Sequence, residues 1–269
     1  MSNPWQEWKV SVTEVDRTVH PNDEMMIAGH EDSYWLMGDW ALRCVRASLA
    51  CAALSFQVKT ESILDLPCGY GRVLRFLQVA YPNAEITACD ISREGVDFCV
   101  DTFGVRGLYS STDPADIKTG TYDLIWCGSL MTHMPEDRWD PWLSFFEDHL
   151  NPGGTVVFTT HGDGYASGLF SVHMPENLPE LQERYRRIGF AFAQNPWDRD
   201  EDPGIALSSP AWILERLNRR RELRVTAFME RGWHDAHDVW SVSKATESSL
   251  QRDRDRIAAQ SAPVGSSAA

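Results

Sequence analysis

Asp65, Gly69 and Gly71 stand in the run Ile63-Leu64-Asp65-Leu66-Pro67-Cys68-Gly69-Tyr70-Gly71. Their spacing suits a cationic ligand of nucleotide type. The two glycines permit positive φ and remove Cβ atoms where a ligand meets the backbone. A carboxylate at Asp65 would repel a pyrophosphate but attract an amino group, and the third glycine of a dinucleotide loop is missing. Asp90 follows Asp65 by 25 residues, in Glu85-Ile86-Thr87-Ala88-Cys89-Asp90-Ile91-Ser92. There it can accept hydrogen bonds from ribose hydroxyls; capping the next helix is the other role open to it. Acid–base chemistry is offered by His133, in Leu130-Met131-Thr132-His133-Met134-Pro135, and by His161, in Thr159-Thr160-His161-Gly162. The imidazole pKa lies near neutrality, so either ring could take a proton from a reacting group.

These residues need elements to hold them. Ile63 to Leu66 read as a short buried strand, and Val73, Leu74 and Leu77 continue at helical spacing beside Phe76. Strand, glycine turn and helix N-terminus form the ligand edge of a parallel α/β sheet. Glu85 to Asp90 make the second strand, followed by a helix through Arg93 to Cys99. Gly107-Leu108-Tyr109 make a short third strand, and Tyr122 to Leu130 a central buried one that passes Cys127, Gly128 and Ser129. Leu150-Asn151-Pro152-Gly153-Gly154 stops a helix and turns into the fifth strand. Ligands bind at the carboxyl ends of such strands, so His133 and His161 can share one cleft.

These five segments, from Ser62 to Gly162, resemble in kind and order the class I S-adenosylmethionine-dependent methyltransferases. The resemblance implies an α/β fold with a doubly wound, mostly parallel seven-stranded sheet. It implies S-adenosyl-L-methionine as cofactor and S-adenosyl-L-homocysteine as product. Asp65, Pro67, Cys68, Gly69 and Gly71 would then cradle the cofactor, and Asp90, with Ile91 beside it, would hold the ribose. Asp113, with Asp116 in reserve, is expected at the adenine amino group; a turn acid beside Pro114 is the competing role. Cys127 and Gly128 would border the methionine portion. Tyr34, in an N-terminal lid with Trp35 as cover, is expected to hydrogen-bond the cofactor carboxylate, unless it only packs.

Methyl transfer from a sulfonium is an in-line displacement, so the protein must position the acceptor, exclude water and, for a hydroxyl or carbon acid, remove a proton. His161 or His133 is the expected base; ordering its loop is the competing role for His133. Asp163, Tyr165 and His30 are expected on the acceptor side. The expected reaction is O-methylation of a small molecule or sugar, with nitrogen and carbon acceptors open. Two other classes stay in view: a non-catalytic S-adenosylmethionine-binding protein, and a nicotinamide-dependent oxidoreductase. The absent third glycine and Asp65 count against the latter.

Composition bounds the rest. With 269 residues, 43% of them hydrophobic, the chain fits one α/β domain with additions. A formal net charge of −14 disfavours nucleic acid and anionic membrane surfaces as partners. No apolar run approaches the ~18 residues of a membrane span, and the start, Met1 to Glu7, lacks the features of a signal peptide. The six cysteines form no Cys-x-x-Cys pair and mostly sit in apolar runs. They read as reduced thiols in a cytoplasmic protein, with Cys68 and Cys127 placed where solvent could reach them. Trp233-His234-Asp235-Ala236-His237-Asp238 holds metal-ligating residue types but reads as a capped loop before the last strand, so no metal is expected. The oligomeric state stays open, a homodimer included.

One domain is expected over 1–245. Residues 1–55 form a lid and a helix from about Tyr34 to Phe56, capped by Asp39 or a neighbour. Residues 56–162 form the cofactor half. Residues 163–206 form a substrate-side insertion between strands five and six, with a helix over Pro179 to Ile188 and an acidic tract from Asp198 to Asp202. Residues 207–245 complete the sheet with a helix over Pro210 to Arg220 and strands over Arg224 to Met229 and Val239 to Ser243. Residues 246–269 are expected to be a disordered tail.

Overall fold

A computed structural model describes residues 14–168, 178–194, 204–251 and 255. Residues 1–13, the acidic tract 198–202 and the tail beyond 255 lie outside the described residues. In chain order the elements are α1 (Glu31–Ala52), β1 (Ser62–Asp65), α2 (Leu74–Ala80), β2 (Glu85–Asp90), α3 (Arg93–Phe103), β3 (Arg106–Tyr109), β4 (Tyr122–Cys127), α4 (Glu136–His149) and β5 (Leu150–Thr160). Then come α5 (Asp163–Ala166), α6 (Leu178–Ile188), β6 (Phe190–Ala193), β7 (Ile205–Ser208), α7 (Pro210–Asn218), β8 (Leu223–Trp233) and β9 (His237–Lys244).

The main sheet has seven strands in the order β3-β2-β1-β4-β5-β9-β8. β1 to β5 run parallel, and β9 runs antiparallel to both β5 and β8. The order reverses between β1 and β4, and the crevice beyond the carboxyl ends of these strands is where α/β sheets bind ligands. Every residue of β4 is buried, as helices on both faces of a parallel sheet require. β9 pairs with β5 in the register Thr160↔Asp238 and Thr159↔Val239. Its antiparallel direction brings its first residue, His237, to the same edge as the last residues of β5.

α1 starts at Glu31, three residues earlier than the spacing predicts, and His30 at its N-cap makes no side-chain cap bond. Asp39 does not cap the helix. It lies buried inside it and pairs with Arg43 one turn on. Glu31 and Asp32 occupy the first turn instead, where negative charge favours the exposed N–H groups of the helix. Tyr34, Trp35, Leu42, Val45 and Leu49 line its buried face.

Arg75 of α2 is 1% exposed and ties the N-terminal segment to the glycine loop. Its guanidinium donates to the carbonyls of Asp16 and Thr18, both at 2.9 Å, and to those of Gly71 and Tyr70 at 2.9 and 3.1 Å. His20 stacks on Tyr70 with ring centroids 4.7 Å apart.

The 163–206 segment holds the expected α6, but also α5 and a two-stranded antiparallel sheet, β6–β7, that periodicity did not reveal. This small sheet lies against the carboxyl edge of the main sheet: the Ser208 N–H donates to the His161 carbonyl at 2.9 Å. Among the described residues no helix is long and apolar enough to cross a membrane.

Candidate active site

Two regions meet at the carboxyl edge. The first is the glycine loop between β1 and α2. Gly69 and Gly71 adopt φ of +50° and +78°, conformations that glycine reaches without strain. A Cβ at Gly69 would meet no atom within 4 Å, so the loop faces an open cradle. The Leu66–Pro67 peptide is cis. Asp65, at the end of β1, is 1% exposed, and neither carboxylate oxygen has a hydrogen-bond partner among the described residues. Burial, and then the charge of Asp90, push its pKa well above the carboxylate range, with the Leu74 N–H and the Arg72 guanidinium opposing. A buried, unpaired carboxylate is costly. A ligand bearing an ammonium group would relieve that cost, so the cradle fits S-adenosylmethionine.

Asp90 ends β2, and both its oxygens hold the backbone: Oδ2 accepts the Gly69 N–H at 2.7 Å, and Oδ1 the Ser92 N–H at 2.9 Å. The cap of α3 is Ser92, whose hydroxyl accepts the Gly95 N–H. Ile91 beside it is 62% exposed, an apolar side chain at the rim of the cradle. Asp113 is exposed and accepts the Ala115 N–H at 3.0 Å, capping a short turn at Pro114–Asp116. Cys68 and Cys127 are both buried rather than accessible. The hydrogen bond with Cys99, and then burial, push the Cys68 thiol up; burial pushes Cys127 up. A Cβ at Gly128 would strike the Trp126 indole at 2.8 Å. The Tyr34 hydroxyl is buried and donates to Asp23 Oδ2 at 2.7 Å.

The second region is a histidine pocket. His133 closes a single 3-10 turn at Met131–His133, after β4. Its Nδ1 lies 2.8 Å from the Gly204 carbonyl oxygen, just before β7. His161 follows β5, 4% exposed, with its ring 6.3 Å from that of His133 and 4.8 Å from that of His237. Tyr165 stacks on His161 at 3.7 Å. The Nδ1 of His161 is buried and has no hydrogen-bond partner among the described residues. Asp163 accepts the Tyr185 hydroxyl at 2.7 Å. Exposed His30 lies in the turn that opens α1.

Sequence reasoning placed His133 and His161 together but left out His237 and Thr159. The His237 Nδ1 is 3.3 Å from the Thr159 hydroxyl, which accepts the Ser129 N–H at 2.8 Å. Ser129 sits at φ +62°, an uncommon conformation for a non-glycine residue. The available signal was direction: an antiparallel last strand starts where its parallel neighbour ends.

Charge in this pocket is disfavoured. Burial, then the charges of His237 and His133, hold His161 well below the usual imidazole range. Burial, then His133, His234 and Arg72, bring His237 down to about 3. Burial, against the opposing Arg231 N–H and with Glu230 and Asp163 adding to it, pushes Asp238 up to about 6. A depressed histidine leaves the unfolded chain binding more protons below its ordinary pKa of about 6.5, so stability falls on acidification. Asp238 acts with the opposite sign, its contribution falling as pH rises from about 4 to about 6. Two strongly depressed histidines outweigh one raised carboxyl. The melting temperature is therefore expected to drop by several degrees, roughly, between pH 7 and pH 5. His237→Gln should drop less, read by calorimetry. An equal or steeper drop in the variant would contradict the assignment.

Fold, cradle and pocket define a class. Residues 63–154 match the family model of a methyltransferase domain. With the sheet order, this match supports a class I S-adenosylmethionine-dependent methyltransferase. A ubiquinone biosynthesis O-methyltransferase of Vibrio parahaemolyticus is 28% identical over 130 residues, 45% of this chain and 52% of that protein. One from Hydrogenovibrio crunogenus is 25% identical over 130 residues and is covered to the same 52%. The chain thus spans about half the length of the curated relatives it matches. Among solved structures, an S-adenosylmethionine-dependent methyltransferase from Clostridium acetobutylicum superposes with a TM-score of 0.53 at 15% identity, covering 83% of this chain and 96% of that one. At that identity the likeness shows the fold.

Proposed function

We propose that the protein transfers a methyl group from S-adenosylmethionine to a hydroxyl of a small molecule or sugar unit, with His133 removing the proton. One observation carries the choice of base. A carbonyl oxygen only accepts, so the Gly204 contact puts the proton of neutral His133 on Nδ1. Nε2 is then the lone-pair nitrogen, the form a general base needs. His161 stands beside it, kept neutral by burial, and its orphaned Nδ1 can hydrogen-bond the acceptor hydroxyl. Tyr165, stacked on His161, and Asp163 border this side. The bound cofactor supplies a methyl group activated on a sulfonium. Asp65 and the Gly69 cradle hold its amino-acid end, Asp90 its ribose, and Ile91 and Asp113 the adenine side. Oxygen is favoured as acceptor atom because the two curated relatives are named as O-methyltransferases.

The test is release of S-adenosylhomocysteine by purified protein given S-adenosylmethionine and panels of phenols, sugars, amines and carbon acids. Turnover is expected in the hydroxylated panels. Turnover confined to amines would move the acceptor to nitrogen. Cofactor binding without turnover on any panel would favour a binding protein.

A further inference from the structure

Arg72 follows the second glycine of the loop and is half-buried. Its Cζ lies 5.9 Å from the centroid of the Tyr34 ring. Among the described residues its guanidinium makes no hydrogen bond and no salt bridge. Arg75, three residues on, shows the contrast: its guanidinium donates to four backbone carbonyls. Leaving a guanidinium unpaired in a half-buried site costs free energy unless something else completes it.

The surroundings say what would complete it. The Arg72 charge acts on Asp65 on one side and on His237 on the other. It therefore stands within electrostatic reach of the strand-end carboxyl and the histidine pocket, as it does of Asp23 beside Tyr34. Asp65 is itself unpaired. A guanidinium and a buried carboxyl stand within electrostatic reach of each other without forming an ion pair, an arrangement that a zwitterion would complete, its ammonium favouring the ionised Asp65. The Tyr34 hydroxyl already donates its one hydrogen bond to Asp23 and so has none left for a carboxylate.

We propose that Arg72 binds the carboxylate of the cofactor's amino-acid end, opposite Asp65, which takes the ammonium. The planar guanidinium fork matches a carboxylate in two parallel bonds. This inference rests on the cofactor reading above. It adds a residue that orients the methionine end and so aims the sulfonium methyl toward His133 and His161.

The experiment is calorimetric titration of wild type, Arg72→Met and Arg72→Lys with two probes. S-adenosylhomocysteine carries the amino-acid end; 5′-methylthioadenosine keeps the adenosine and sulfur but lacks it. Arg72→Met is expected to bind S-adenosylhomocysteine about tenfold to a hundredfold more weakly than wild type. Its affinity for 5′-methylthioadenosine should stay within about twofold, and Arg72→Lys should fall between on the first probe. Unchanged affinity for S-adenosylhomocysteine overturns the inference, as does equal weakening of both probes in a variant that melts like wild type. Should Arg72→Met melt well below wild type, Arg72→Lys decides. Selective loss of S-adenosylhomocysteine supports the assignment; loss of both probes or of neither overturns it. Wild type that binds neither probe would instead bring down the cofactor reading itself.

Discussion

Asp90→Ala is expected to weaken S-adenosylhomocysteine binding by about a hundredfold or more. In the proposed cofactor site the residue does two jobs at once. Each of its oxygens already accepts one backbone N–H, from Gly69 and from Ser92. A carboxylate oxygen has two lone pairs, so each keeps one for a ribose hydroxyl. Alanine removes both ribose acceptors and also releases the Gly69 amide that fixes the loop. The two losses fall on one ligand and should compound. Asp90→Asn keeps one acceptor oxygen, but its amide must face either the Gly69 N–H or the Ser92 N–H, donor to donor. An intermediate loss is expected there. Titration with S-adenosylhomocysteine, with NAD as control and melting curves for both variants, makes the check. A loss below about threefold in a folded Asp90→Ala would take Asp90 out of the cofactor site.

How much of this was legible beforehand depended on range along the chain. The β1–loop–α2 unit is local: an apolar run, two glycines and a helical repeat within fifteen or so neighbours fix it. The acid at the end of β2 was legible for the same reason. The mostly parallel seven-stranded sheet was expected from the resemblance carried by segments in chain order, and the structure has it. What escaped was non-local or depended on competition between residues. Phe190 to Ala193 and Ile205 to Ser208 carry too little alternation to announce a two-stranded sheet, yet that sheet carries Gly204 to His133. Asp39 has the residue type of a cap, but its buried pairing with Arg43 left the start of α1 to Glu31 and Asp32. His237 could be placed only through the antiparallel register of β9 on β5. Arg72 and Arg75 are the same residue type three positions apart. Only the contacts of the folded chain separate the saturated guanidinium from the unpaired one.

His133→Ala should lower kcat by about 10² to 10⁴, the range for losing a positioned general base. Affinity for S-adenosylhomocysteine should stay within about twofold, because the cradle residues are untouched. This split is what separates a base from a loop-ordering residue. If the Gly204 contact mattered only for holding β7, the variant would melt lower and bind acceptor poorly, while kcat at saturation would fall little. His161→Ala should cost less, about tenfold, since a ring held neutral well below its usual range is a weak proton acceptor but still a hydrogen-bonding partner. Acceptor acidity sharpens the test. A phenol that is already ionised at the assay pH needs no base. Across a series of increasingly acidic phenols, the deficit of His133→Ala should therefore shrink toward that of His161→Ala. A deficit that stays constant along the series would mean that His133 positions the acceptor without taking its proton.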